Sequence, residues 1–153
     1  MRNKKITIYK WTTAITLCLS LAACAPNPAI IKISSPDVSK AIGPYSHAIK
    51  AGNLIFCSGQ LGLLPATGEL SGNEIESQTR QSILNIKSIL ESAGSDLSKV
   101  TKVTIFLADM SDYTTVNRIY SEYFSNHPAR STVQVAKLPK NGLIEIECIA
   151  IVH

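Results

Sequence analysis

The chain has 153 residues, 45% of them hydrophobic, with 15 Lys+Arg against 11 Asp+Glu, which suits one domain with a single core. The formal charge of +4 is not spread along it: Arg2, Lys4, Lys5 and Lys10 all precede the first acidic residue, Asp37, and without them 11 basic residues face 11 acidic ones. That balance excludes a general electrostatic case for nucleic-acid binding.

Residues 1–23 read as an export signal rather than as part of the fold. MRNKK is a basic start, the apolar run from Trp11 to Leu21 is too short to span a bilayer, and the small residues Ala22-Ala23 lead to Cys24. The ending Leu21-Ala22-Ala23-Cys24 resembles a bacterial lipoprotein box, in which the cysteine becomes the lipidated first residue of the processed chain. Acylation at Cys24 with several chains would anchor it stably. Ala25, rather than Asp, follows, and by the same resemblance this favours the outer membrane, facing the periplasm. The plainer alternative is an ordinary cleaved signal or an uncleaved anchor. Residues 24–36 then form a tether that leads into a first strand, and residues 37–153 form the domain.

In chain order, 46–50, the turn Ala51-Gly52 and 53–63 read as a strand pair ending at the turn signal Pro65-Ala-Thr-Gly68. A helix is expected from about Asn73, with Glu76 as capping-box partner. Ile75, Thr79, Ile83, Ile86, Leu90 and Ala93 give it one apolar stripe, and Gly94 stops it. Residues 100–107 are strand-like and rich in β-branched side chains. Ser111 or Asp112 then caps a second helix, with Val116, Ile119, Tyr120 and Tyr123 on one face. Strands are expected at 131–137 and 143–152. This order places two helices on one side of a mixed sheet, an α+β layer.

Alternation in the last two strands separates Arg130, Thr132 and Gln134 from Val133 and Val135, and Glu145 and Glu147 from Ile144, Ile146 and Cys148. On this basis each strand turns its apolar side to the helices and its polar side away. Cys57 and Cys148 sit in apolar runs and read as buried, inert thiols; a disulfide between them needs matching geometry. His47, His127 and His153 are isolated, with no ligand-like spacing, so no metal site is expected.

The stretch Pro128-Ala-Arg-Ser-Thr-Val-Gln-Val-Ala-Lys-Leu-Pro139 raises the functional question, because it opens a Val-rich strand with a permanent cation. It belongs to a series: Ala41-Ile-Gly-Pro-Tyr-Ser46, Phe56-Cys-Ser-Gly-Gln-Leu61, Gln78-Thr-Arg-Gln-Ser-Ile-Leu-Asn-Ile86, Thr115-Val-Asn117, Pro128-Ala-Arg-Ser131 and Ile144-Glu-Ile-Glu147. In this order and spacing the chain resembles the Rid (reactive intermediate deaminase) family, specifically its RidA-like enamine/imine deaminases, over essentially the whole domain.

The resemblance implies a chorismate-mutase-like α+β fold, a homotrimer, and sites in the clefts between subunits. It separates the last two strands, where the residues alone would suggest a hairpin through 138–142. It assigns Arg130 to the substrate carboxylate, Glu145 to the attacking water, and Thr132 to a catalytic contact through its backbone. Tyr45, Ser58, Gly59 and Asn117 are assigned to the substrate pocket. Arg130 suits its role because a guanidinium presents parallel donors to two oxygens and stays charged when desolvated. Thr132 stands where many relatives carry cysteine, which excludes thiol chemistry there. The connection 124–129 is shorter than the family pattern.

The expected reaction is hydrolysis of small 2-imino or enamine acids to 2-oxo acids and ammonia, with no cofactor and no nucleic-acid partner. The alternative is a trimeric envelope protein of binding or holdase type that keeps the pocket without turnover. A ribonuclease activity, attached to some relatives, is disfavoured by the neutral domain and the lack of a catalytic His pair.

Overall fold

In the computed structural model, which describes residues 29–152, six strands form one sheet and two helices cover one of its faces. The expected signal segment, Cys24 and His153 lie outside the described residues. The elements are β1 (Ile30–Ile33), β2 (Ala48–Ala51), β3 (Leu54–Leu61), α1 (Ile75–Ser92), β4 (Val100–Leu107), α2 (Tyr113–Tyr123), β5 (Ala129–Gln134) and β6 (Ile144–Ile151). β1 falls inside the stretch expected to tether the domain.

The sheet order is β1-β2-β3-β6-β4-β5, antiparallel throughout except for the parallel β4/β5 pair. β6 thus inserts between β3 and β4, and β5 and β6 are not neighbours. The expected mixed α+β sheet stands, and so does the separation of the last two strands. A hairpin is impossible because the β4–α2–β5 crossover commits β5 to the outer edge beside β4.

Alternation builds the core. Ile55 and Cys57 on β3, Val103, Ile105 and Leu107 on β4, and Ile144, Ile146 and Cys148 on β6 are buried beneath the helices. The helices supply Ile83, Ile86, Ile89 and Leu90 from α1, with Val116 and Ile119 from α2. Each such side chain contributes about 1.5–3 kcal/mol on burial. Cys57 and Cys148 face each other in register across β3 and β6, both free and buried. Mutual hydrogen bonding, and then burial, push the Cys148 thiol well above its usual range.

Two expected helix starts need correction. α1 begins at Ile75, and the capping box does not form, since Glu74 at its N-cap makes no side-chain cap bond. Glu76 instead forms an ion pair with Arg118 of α2, tying the two helices together. Asp112 stands at the N-cap of α2, as one of the two expected candidates, but makes no side-chain cap bond. The carboxylate of Asp109 accepts from the Ser111 N–H at 2.8 Å and caps a 3-10 turn, Met110–Asp112, which runs straight into the helix.

Candidate active site

The stretch Cys57–Gln60 creates the first half of the site. The β3/β6 register slips there: Cys57 pairs with Cys148 but Gln60 with Ile146, so one extra residue is accommodated in β3. Parity flips across the bulge. Gln60 turns to the helix side, where it is buried, and Leu61 pairs with Glu145 on the open face. Ser58 secures the bulge by donating its amide to the His47 carbonyl at 3.0 Å and its hydroxyl to the Ser46 carbonyl at 2.8 Å. Gly59 is left beneath the Glu145 side chain. A Cβ built on Gly59 would lie 1.8 Å from Glu145 Oε1, so only glycine leaves room for this carboxylate.

Glu145 is half-buried, and burial first, then the charge of Glu147, push its carboxyl above the ordinary 4.5. It lines a cleft with Tyr45, His47, Gly59, Lys40 and Pro139. His47 fixes one wall: its Nδ1 accepts from the Ser35 N–H at 3.1 Å, so Nε2 carries the proton that is donated to the Ser39 carbonyl, also at 3.1 Å. The exposed Tyr45 hydroxyl accepts from the Ile42 N–H at 3.4 Å. The cleft offers about 50 Å³, room for water but far below the roughly 300–1,000 Å³ of ordinary ligand pockets.

Arg130 organises the second half. It pairs in register with Val103, and Thr132 with Ile105, both fully buried beneath the helices. Arg130 and Thr132 therefore lie on the helix-bearing face, while Val133 pairs with Phe106 on the open face and is 43% exposed. This reverses the expected orientation of β5. The physical reason is the partner that α2 offers at this edge: Tyr120 and Tyr113 are aromatic surfaces that accept a cation. The guanidinium carbon sits 4.6 Å from the Tyr120 ring centroid and 5.7 Å from that of Tyr113. Phe124 stacks beneath Tyr120 at 4.3 Å, fully buried. Asn117 Oδ1 accepts from Arg130 Nη2 at 2.6 Å, so Asn117 holds the arginine and is a positioning residue. Two buried hydroxyls here have no hydrogen-bond partner among the described residues, Tyr120 Oη and Thr132 Oγ1. Burial pushes the Tyr120 phenol up to about 12.

The single chain thus brings Tyr45, Gly59 and Glu145 together, with Ser58 bracing them, and separately joins Arg130 to Asn117. It does not bring the two groups into contact, because Arg130 and Glu145 lie on opposite faces of the sheet with β4 between their strands. The sequence reading missed several supporting residues. Gln78, Ser82 and Asn85 form a buried polar row on α1. Ser82 Oγ donates to the Gln60 carbonyl at 2.7 Å, and Asn85 Nδ2 to those of Leu61 and Leu63 at 3.2 and 2.9 Å. Gln78 Oε1 accepts from the Leu143 N–H at 2.8 Å, just before β6. Their i, i+4, i+7 spacing was the available signal, a second stripe beside the apolar one. Tyr113 and Tyr120 were missed as partners of the arginine.

Known proteins are similar to this chain in sequence and fold. The endoribonuclease L-PSP family matches residues 35–152, a span that contains both half-sites. A reactive intermediate deaminase A of the chloroplast from Arabidopsis thaliana is 46% identical over 146 residues, covering 95% of this chain and 78% of that protein. A 2-iminobutanoate/2-iminopropanoate deaminase from Bos taurus is 47% identical over 120 residues, 78% of this chain and 88% of its own. The crystal structure of E. coli TdcF with bound serine superposes with a TM-score of 0.76 at 38% identity, over 80% of this chain and 99% of that one. With a family model spanning residues 35–152 and relatives 46 and 47% identical, this chain belongs to the endoribonuclease L-PSP family.

Proposed function

We propose that the protein hydrolyses small 2-imino acids, and the enamines that tautomerise to them, to 2-oxo acids and ammonia, in sites built between the subunits of a homotrimer. The observation that carries this is the Glu145 carboxylate, half-buried over a glycine that exists to make room for it, in a cleft too small to hold a substrate alone. Such a cleft calls for a second wall, and the Arg130 face of another copy offers one. Two groups on opposite faces of one sheet can converge only if a different molecule supplies one of them. The names of the relatives support the reaction class.

In the assembled site Arg130 grips the substrate carboxylate with parallel N–H donors. Ionised Glu145, helped by a backbone group at Thr132, takes a proton from water as the water oxygen bonds to the imine carbon. Glu145 then passes that proton to nitrogen. As the carbinolamine collapses, Glu145 carries its hydroxyl proton to the nitrogen, the C–N bond breaks, and ammonia and the 2-oxo acid leave. Gly59 and Tyr45 shape the wall behind the reacting carbon. A thousandfold acceleration needs only about 4 kcal/mol, within reach of positioning and general-base catalysis.

The test supplies 2-iminobutanoate from a threonine dehydratase and traps it with semicarbazide. The purified chain is expected to lower trapping, and Arg130→Ala to restore it. No effect from the wild-type chain would contradict the reaction, and a fully active Arg130→Ala variant would contradict the site.

Cys24 is proposed as a lipid anchor on the basis of the lipoprotein-like box, placing the domain at the cell envelope. Metabolic labelling with palmitate should mark the chain, and Cys24→Ala should abolish the label. Labelling that survives this substitution would refute the anchor.

A further inference from the structure

We infer that the Tyr113 phenol, which accepts a hydrogen bond from Arg130 in this structure, is a second carboxylate-recognition group that turns to donate one to the substrate when Arg130 binds it. This rests on the carboxylate role proposed for Arg130 and extends it to a residue outside the catalytic assignment above.

Arg130 Nη2 has two protons. One goes to Asn117 Oδ1 at 2.6 Å and the other to Tyr113 Oη at 3.4 Å. Each parallel N–H pair of a guanidinium includes one Nη2 proton, so a carboxylate gripped by two donors must displace one of these acceptors. The longer bond, to the exposed phenol, is the one to yield; the short bond to half-buried Asn117 stays and keeps the guanidinium oriented. A phenol can both accept and donate. Once displaced as acceptor, Tyr113 Oη sits beside the incoming carboxylate with a proton to offer.

The position of Tyr113 is well braced for this role. It is the first residue of α2, delivered by the 3-10 turn Met110–Asp112. Asp109 caps that turn, and Gln134 Oε1 on β5 accepts from the Met110 N–H at 3.0 Å, holding the turn against the strand that carries Arg130. The side chain itself remains 41% exposed, free to meet a ligand. The hydrogen bond with Asn117, the larger influence ahead of that with Arg130, lowers the phenol's proton affinity and stays when Arg130 turns to the substrate, which keeps the phenol a better donor to an anion.

The experiment compares the full-length wild-type chain with Tyr113→Phe, which keeps the ring over Arg130 and removes only the oxygen. Binding of 2-oxobutanoate is measured by titration calorimetry, its effect on tyrosine absorbance by difference spectroscopy, and 2-iminobutanoate turnover by trapping. The expected result is roughly tenfold weaker 2-oxobutanoate binding and a matching rise in KM with kcat unchanged, with the ligand-induced tyrosine signal lost. The sign decides the matter: a phenol that only competes for Nη2 would, on removal, leave binding equal or tighter, and that result overturns the inference while the proposed reaction stands. A wild-type chain that neither binds 2-oxobutanoate nor lowers trapping overturns the functional proposal, and this inference with it.

Discussion

Glu145 combines two features that the proposed general-base role accounts for: a carboxylate lifted above its ordinary ionisation range, and a glycine beneath it in the interior of a strand. Its folded pKa is raised, so the folded chain holds an extra proton between the unfolded and folded values, and stability rises as pH falls through that window. Activity runs the other way, because a general base must be ionised. The acid limb of kcat/KM is therefore expected above the ordinary glutamate value of 4.5. Glu145→Gln should lower turnover by roughly 10²–10⁴-fold without loss of thermal stability at neutral pH. A melting curve alongside the pH–rate profile checks both, and a Gln variant that is markedly less stable would contradict the account. Gly59→Ala should also abolish most turnover, because its methyl group takes the place of the carboxylate oxygen. An active Ala variant would show that Glu145 need not sit there.

At the scale of elements, α1 is a hinge between folding and chemistry. Its apolar stripe builds the core, while Ser82 and Asn85 satisfy the carbonyls of Gln60, Leu61 and Leu63, where β3 leaves the bulge. Asn85→Ala leaves buried carbonyls without a donor and is expected to cost about 1–3 kcal/mol, read as a lower denaturant midpoint. A midpoint unchanged from wild type would mean that water replaces the amide without penalty. The apolar stripe was legible in the sequence because Ile83, Ile86 and Leu90 repeat at helical spacing. Gly59 was legible as a pocket residue through its motif, but the bulge was not, because a register shift depends on β6, a strand far along the chain. Arg130 was legible as a residue but not as an orientation, since alternation divides a strand into two faces without saying which one a helix covers. The cation followed the aromatic rings of α2, a tertiary partner that parity cannot reveal. The caps were misjudged for a related reason: Glu76 gains a partner in Arg118, 42 residues away, that no local pattern announces.

For the whole molecule, the sheet presents half of the site on each face, with Glu145 opposite the helices and Arg130 beside them. The motifs carried the identities of these residues, and the topology is the reason for proposing that a second subunit supplies one of them: β4 lies between their strands. The most direct measurement mixes two full-length variants, Arg130→Ala and Glu145→Gln, each inactive alone, by unfolding and refolding them together. Random reassembly joins an intact Arg130 from one subunit to an intact Glu145 from its neighbour at roughly a quarter of the interfaces, and about that fraction of wild-type imine hydrolysis is expected to return. A mixture that stays as inactive as its components, although it refolds and assembles, would contradict a site shared between subunits.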